Sequence, residues 1–421
     1  MHTSILLFVA VFGGCPPERL EGTEPGDCTD GADNDGDGLF DCDDDGCAGA
    51  PDCQGEGDTD TDTDTDTDTD ADGDADADGD TDADGDADAD SDTDVSYDVC
   101  DDGIAPWTTL QEAVEASANG DTIAVCAGTW DAVDFGDREL TLWGPDGAEA
   151  TLVVGRGDTP AVAVDEGVIE LSGLTLMGLG STYGAALNAR DAEVYFHDAR
   201  IAEGAANSLV YQYEGEGLYE DIVFEGNSTS AGVFRISGEA DVRHCIFRNN
   251  SGSGHMLELS APENSSFSFE NNIVVGNVYD SDQVFYFGHG GTISNNVFYG
   301  NTNTNPSPSN YTAVFHLEAE YFGNNIIEGN ATSGEVAQYY SSAHEDRANY
   351  NAWYDNSGTL SYLGPEDLAV DPRMEDPEGG DFHLQNPQSP CIDAGDPDRA
   401  YDDADGSLND IGAYGGPGGS W

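Results

Sequence analysis

Five aspartates, Asp33, Asp35, Asp37, Asp41 and Asp44, carry the most specific chemistry in the sequence. They take positions 1, 3, 5, 9 and 12 of a calcium loop, with Gly38 at the tight turn. Hard oxygen ligands at alternating positions wrap a small sphere, and glycine permits the bend, so calcium is the expected cofactor. Asp44 stands where a bidentate Glu is usual, which weakens the site rather than removing it. The bland reading is an acidic linker with incidental spacing. Around the loop, Cys28, Cys42, Cys47 and Cys53 suit two disulfides in any of three pairings, with zinc as the rival; carboxylate-rich surroundings favour bridges.

A second set is spread over a repeat. A seven-residue phrase recurs six times: D-I-V-F-E-G-N ending at Asn227, H-C-I-F-R-N-N at Asn250, N-N-I-V-V-G-N at Asn277, N-N-V-F-Y-G-N at Asn301, N-N-I-I-E-G-N at Asn330 and Y-N-A-W-Y-D-N at Asn356. The final Asn residues lie 23, 27, 24, 29 and 26 positions apart, a solenoid period. Each unit adds an apolar run. If Phe234/Ile236, Leu257/Leu259, Phe285/Phe287, Phe315/Leu317 and Ala337/Tyr339 face inward, alternation turns Arg235, Glu258, Tyr286, His316 and Gln338 outward in one column. A polar, aromatic column of mixed charge suits a sugar groove, and also suits any solvated sheet face. Nucleophile elbows, phosphate loops and H-E-x-x-H zinc helices are absent, so no catalytic residue is assigned.

The elements that position these residues are short strands of period 2, broken by Gly and Asn, as in coils of a parallel β-helix. The Asn at the break is expected to take the left-handed conformation and to bond to the Asn one coil away. Helical solenoids are disfavoured by the β-branched and aromatic content. Ahead of the repeats, Leu110, Ala113, Val114 and Ser117 are spaced as a short amphipathic helix, followed by a strand over Thr122 to Cys126. A helix there plugs the open solenoid end. Cys100 and Cys126 flank it and are expected to bridge, two buried thiols being the alternative; Cys245 reads as a buried free thiol and the partner of Cys391 is open.

This plug and the G-D-T-I-A-V strand resemble the start of right-handed parallel β-helix proteins of the pectin-lyase-like superfamily, over about residues 95–371. The resemblance rests on the repeat and on no catalytic signature; many proteins of that fold cleave acidic polysaccharides. The Asp-rich loop resembles thrombospondin type 3 repeats and Cys-flanked motifs of secreted bacterial lipoproteins. In the tail, S-P-C-I-D-A-G (389–395) and D-I-G-A-Y (410–414) are similar to choice-of-anchor Q regions of bacterial surface proteins, which implies surface placement. That segment is expected to cap the second end, with Asp403, Asp405 and Asp410 as a weaker cation candidate.

The apolar run Ile5 to Phe12 is too short to span a membrane and ends in F-G-G-C, which resembles a lipobox that would lipidate Cys15; plain secretion is the alternative. From Asp58 to Asp94 every even position is Asp, so the segment is expected to be a disordered, extended spacer. The chain then divides into a signal peptide (1–14), a lipid-anchor tether (15–27), the Asp/Cys module (28–53), an acidic linker (54–94), the β-helix (95–371) and a C-terminal cap (372–421). Formal charge is −75, from 86 acidic residues against 11 basic. Such a surface repels nucleic acid and anionic headgroups, leaving membrane contact to a lipid anchor alone. The sequence thus points to a lipid-anchored monomer on a bacterial outer membrane or cell surface, binding a glycan or a surface protein; a polysaccharide lyase or glycoside hydrolase is the alternative.

Overall fold

The chain divides into a unit spanning Met1–Ala89 and one spanning Asp90–Trp421. The computed structural model describes residues 97–100, 105–181, 183–306, 312–339 and 347–419, all in the second unit. Cys15, the module with Asp33, Asp35, Asp37, Asp41, Asp44, Cys28, Cys42, Cys47 and Cys53, and the acidic linker lie outside the described residues.

Strands alternate with Gly and Asn because each coil must turn three times within two dozen residues. The result is a parallel β-solenoid of about nine turns, the architecture that the resemblance to pectin-lyase-like proteins implies. Three sheets run along it. In one coil, Phe267–Glu270 belongs to the first sheet, Ile273–Val275 to the second and Gln283–Phe287 to the third. Each pairs in parallel with its equivalents one coil away, as Phe267 does with Gly291, Ile273 with Val297 and Phe285 with Phe315. Register is kept through most coils, with shifts at Ala206/Ser208, Tyr213/Glu216 and between Ala331 and Ala337, so inward residues stack on inward residues. Phe224 and Phe247 stack with centroids 4.3 Å apart and planes 7° apart, and Phe298 meets Phe315 edge-on at 4.9 Å. Such aromatic contacts add about 0.5 to 1.5 kcal/mol each beyond area burial.

Helix α1, Leu110–Ala116, is the expected plug. Thr109 caps it, its Oγ1 accepting from the Glu112 N–H at 3.2 Å, while Leu110, Ala113 and Val114 are buried. Gln111 fastens it to the first coil by exchanging two hydrogen bonds with the Asp134 backbone, at 3.2 and 2.9 Å. Cys100 and Cys126 are bridged, with Cα atoms 5.3 Å apart; Cys245 and Cys391 are buried free thiols.

The Asn residues that end each phrase form a buried ladder. The Asn277 N–H and Nδ2 both donate to Asn301 Oδ1, at 3.1 and 2.9 Å, and Nδ2 also donates to the Phe247 carbonyl at 2.9 Å. The pattern repeats from Asn227 to Asn356. One expectation is corrected: the left-handed residue is the one before the ladder Asn. Asn249 has φ 55°, Gly276 64° and Asp355 48°. Placing the positive φ one residue earlier leaves the ladder Asn free to point inward, where its amide replaces water for backbone groups that no strand partner reaches. A second ladder links Asn272, Asn296, Asn325 and Asn351. Cys245 occupies its preceding rung, its N–H donating to Asn272 Oδ1 at 2.9 Å.

The described residues 372–419 lie along the solenoid rather than across its second end. The end of the second ladder is met earlier, by Asp367, whose Oδ1 accepts from the Asn351 N–H at 2.7 Å and Nδ2 at 3.2 Å. Beyond it the chain forms a hairpin, Met374–Asp376 with Asp381–Leu384, and then runs back along the solenoid as a strap. Asn324 Oδ1 accepts from the Asp396 N–H at 2.8 Å, Asn271 Nδ2 donates to the Ala413 and Gly415 carbonyls at 2.9 and 2.7 Å, and His244 Nε2 meets the Gly418 carbonyl at 2.9 Å. The strap follows this course because Ile273, Val297, Ile326 and Ala352 form an apolar row on the outside of the second sheet. Met374, Phe382, Cys391, Ile411 and Ala413 cover it. Two carboxylates of the weak cation candidate serve the strap itself: Asp403 Oδ1 accepts from the Asp410 and Gly416 N–H groups, and Asp405 Oδ1 from the Ser407 N–H and hydroxyl. Among the described residues no helix is long and apolar enough to cross a membrane.

Candidate functional site

The third sheet holds the outward column. Its inward neighbours are buried: Phe234, Leu257, Phe285 and Phe315 are fully so. The five outward residues therefore project from the other face in one unbroken register, Arg235 opposite Glu258, Glu258 opposite Tyr286, Tyr286 opposite His316, and His316 opposite Gln338. All five are half-buried, because each is flanked by the residues one coil above and below.

Chemically the column divides into two parts. Arg235 Nη2 donates to Glu258 Oε1 at 2.9 Å, with about a quarter of each side chain exposed (26% and 27%). Tyr286 and His316 stack at 4.9 Å with planes 5° apart, and His255 leans on Tyr286 at 5.4 Å. The ring face of Tyr286 that could meet a sugar is thus shared with His316. Beyond it, the buried Glu318 carboxylate lies between His316 Nε2 at 3.0 Å and His289 Nε2 at 3.1 Å, which fixes the His316 ring in its stack.

Sequence reasoning missed the aromatic residues that extend the column. Tyr211 pairs in register with Arg235, and Tyr213 projects beside it, 44% exposed. Tyr183, 45% exposed, carries the Arg235 guanidinium over its ring at 5.4 Å and tilts against Tyr211 at 5.9 Å. The alternation in V-Y-Q-Y (210–213) signals the two outward tyrosines, but no G-N phrase stands beside that run to mark its coil. Tyr183 reaches the site from a loop, which periodicity does not address.

No family model and no curated protein matches this chain. Among solved structures it is similar to a pectin methylesterase from carrot, at 13% identity over 63% of this chain and 85% of that one, with a TM-score of 0.32. It is similar also to the pectate lyase Pel9A, at 13% identity over 72% and 89% of the two chains and a TM-score of 0.37. A third is pectin methylesterase PemA from Erwinia chrysanthemi, at 10% identity over 70% and 100%, with a TM-score of 0.24. At these values the likeness carries no activity or substrate over to this chain.

A second polar cluster lies on the first sheet. Arg243 forks onto Glu220, Nε to Oε1 at 2.7 Å and Nη2 to Oε2 at 3.1 Å. Glu220, Asp221 and His244 each bring one ligand atom within 4.8 Å of the others. Next to it, burial pushes the Glu270 carboxyl above its usual range, against a hydrogen bond from Ser294 at 2.8 Å. These groups are largely committed to one another, since a guanidinium held by two hydrogen bonds to one carboxylate has little left for a ligand.

Proposed function

We propose that this protein is a non-catalytic surface lipoprotein whose β-helix binds an extended, neutral glycan along the outside of the third sheet. The observation that carries the reading is the register: Tyr211, Arg235, Glu258, Tyr286, His316 and Gln338 succeed one another coil by coil. Coils about 4.8 Å apart match the repeat of an extended sugar chain. The exposed rings of Tyr183 and Tyr213 supply apolar platforms, and the Arg235–Glu258 pair supplies hydrogen bonds to hydroxyls. A formal charge of −75 disfavours polyanions, so the expected glycan is uncharged.

A glycan array is expected to show binding that Tyr183→Ala weakens about fivefold to tenfold, the size of one lost stacking contact. Incubation with the bound sugars should give no shortened or unsaturated products. The second reading, a polysaccharide lyase or glycoside hydrolase, would require the Arg243–Glu220 fork beside Asp221 and Glu270 to open to a substrate. Products that disappear in Arg243→Ala would establish it, whereas absence of any glycan binding would reduce the column to solvated surface.

Calcium held by Asp33, Asp35, Asp37, Asp41 and Asp44, and a lipid on Cys15, complete the proposal as display on a bacterial outer membrane or cell surface. Calorimetric titration of the full chain should show a calcium site that Asp37→Ala loses, and fatty-acid labelling should mark the wild type but not Cys15→Ser. Equal calcium heats, or unlabelled protein in the medium, would remove the respective part.

A further inference from the structure

A cavity of about 520 Å³ opens between the strap and the hairpin. Its walls are mainly apolar, with Phe382, Leu384, Ile392, Ile411 and Tyr414 among them. One carboxylate residue, Asp410, is part of its lining. Asp410 Oδ1 accepts from the Asp393 N–H at 2.7 Å, while Oδ2 has no partner among the described residues. Among the described residues no arginine or lysine lines the cavity. His383 stacks on Tyr414 at 3.7 Å, and its Nδ1 lies 2.8 Å from Asp381, so any charge on that imidazole is met there. Asp410 thus stands half-buried without a counter-ion at the edge of an apolar space.

We infer that this cavity binds a small organic cation, an amine on an apolar body, with Asp410 as its counter-ion. An apolar body fills walls that otherwise face water, and the ammonium meets the unpaired oxygen. A neutral ligand would leave the carboxylate desolvated and unpaired, and an anion would be repelled by Asp410 and by Asp393, Asp403 and Asp405 close by. Burial, together with Asp403, Asp393 and Asp405 and against the Asp393 N–H, pushes the Asp410 carboxyl up to about 6.

The test compares tyramine with 4-ethylphenol, which share a ring and differ in the ammonium, by calorimetry on the full chain. Tyramine is expected to bind at least tenfold more tightly at pH 7.5. Asp410→Asn should abolish it; the amide keeps an oxygen for the Asp393 N–H and leaves the remaining acidic surface intact, which separates the cavity from general attraction of amines. Ile392→Trp, filling the space, should lose both ligands. The inference is overturned if tyramine does not bind, if the two ligands bind alike, or if the preference survives Asp410→Asn or Ile392→Trp.

Discussion

Asn301→Ala is expected to destabilise the solenoid by about 3 kcal/mol or more, a loss large for a polar residue. Asn301 Oδ1 accepts from the Asn277 N–H and Nδ2, and its own Nδ2 donates to the Val274 carbonyl at 2.8 Å and to Asn330 Oδ1 at 3.0 Å. Asn301 and both neighbouring rungs are fully buried. Alanine leaves these groups without partners in a space from which water is excluded, and each buried orphan costs about 1 to 3 kcal/mol. The same change at Asn356, half-exposed at the ladder's end, should cost about 1 kcal/mol, because it has no further rung to donate to among the described residues and water can enter the space its side chain leaves. Denaturant titration compares the two. Because a solenoid can open coil by coil, amide exchange of the Asn277 and Asn301 coils should show the loss concentrated there. Equal costs at Asn301 and Asn356 would mean that the ladder is not what closes the turns.

The ladder was half legible. G-N and N-N at a fixed place in each unit told that a turn and an inter-coil bond were both present. Glycine at Gly276 and Gly300 also implied which residue takes the positive φ, since glycine bears that conformation without the steric cost other residues meet. The strand register was legible for a stronger reason: a slip of one residue would exchange Phe285 and Phe287 for Tyr286. The strap was not legible, because a tail lying across coils has no period of its own. Its landing place did leave a trace. In I-V-V (273–275), V-F-Y (297–299), I-I-E (326–328) and A-W-Y (352–354) the first two residues are both apolar, so both faces of the second sheet are buried there. Reading only the inward member of each pair conceals the row at Ile273, Val297, Ile326 and Ala352. The column from Arg235 to Gln338 was legible as a row, but its internal pairing was not. Whether Tyr286 shows a face or an edge depends on the His316 rotamer, which alternation leaves open.

The second large effect separates the two faces of one strand. Phe285 is fully buried, with ring centroids 5.4 Å from Phe298 and 5.2 Å from Phe315, and pairs in register with Leu257 and Phe315. Phe285→Ala removes its burial and leaves a hole between rings fixed by the coils on either side. A cost of about 3 to 5 kcal/mol is therefore expected, near the upper end if those coils do not close in. Tyr286, one residue on, projects from the outer face, and losing its stack on His316 and its lean on His255 should cost about 1 kcal/mol. A ratio of roughly three or more between the adjacent substitutions, read from the shift in denaturant midpoint at unchanged slope, is the signature of this register. The reverse order would put Tyr286 inside and Phe285 outside, and would take Arg235, Glu258, His316 and Gln338 off the surface with it. The two variants also divide by function: Tyr286→Ala alters the rim of the proposed groove in a folded protein, whereas Phe285→Ala weakens binding only to the extent that it unfolds the coil beneath.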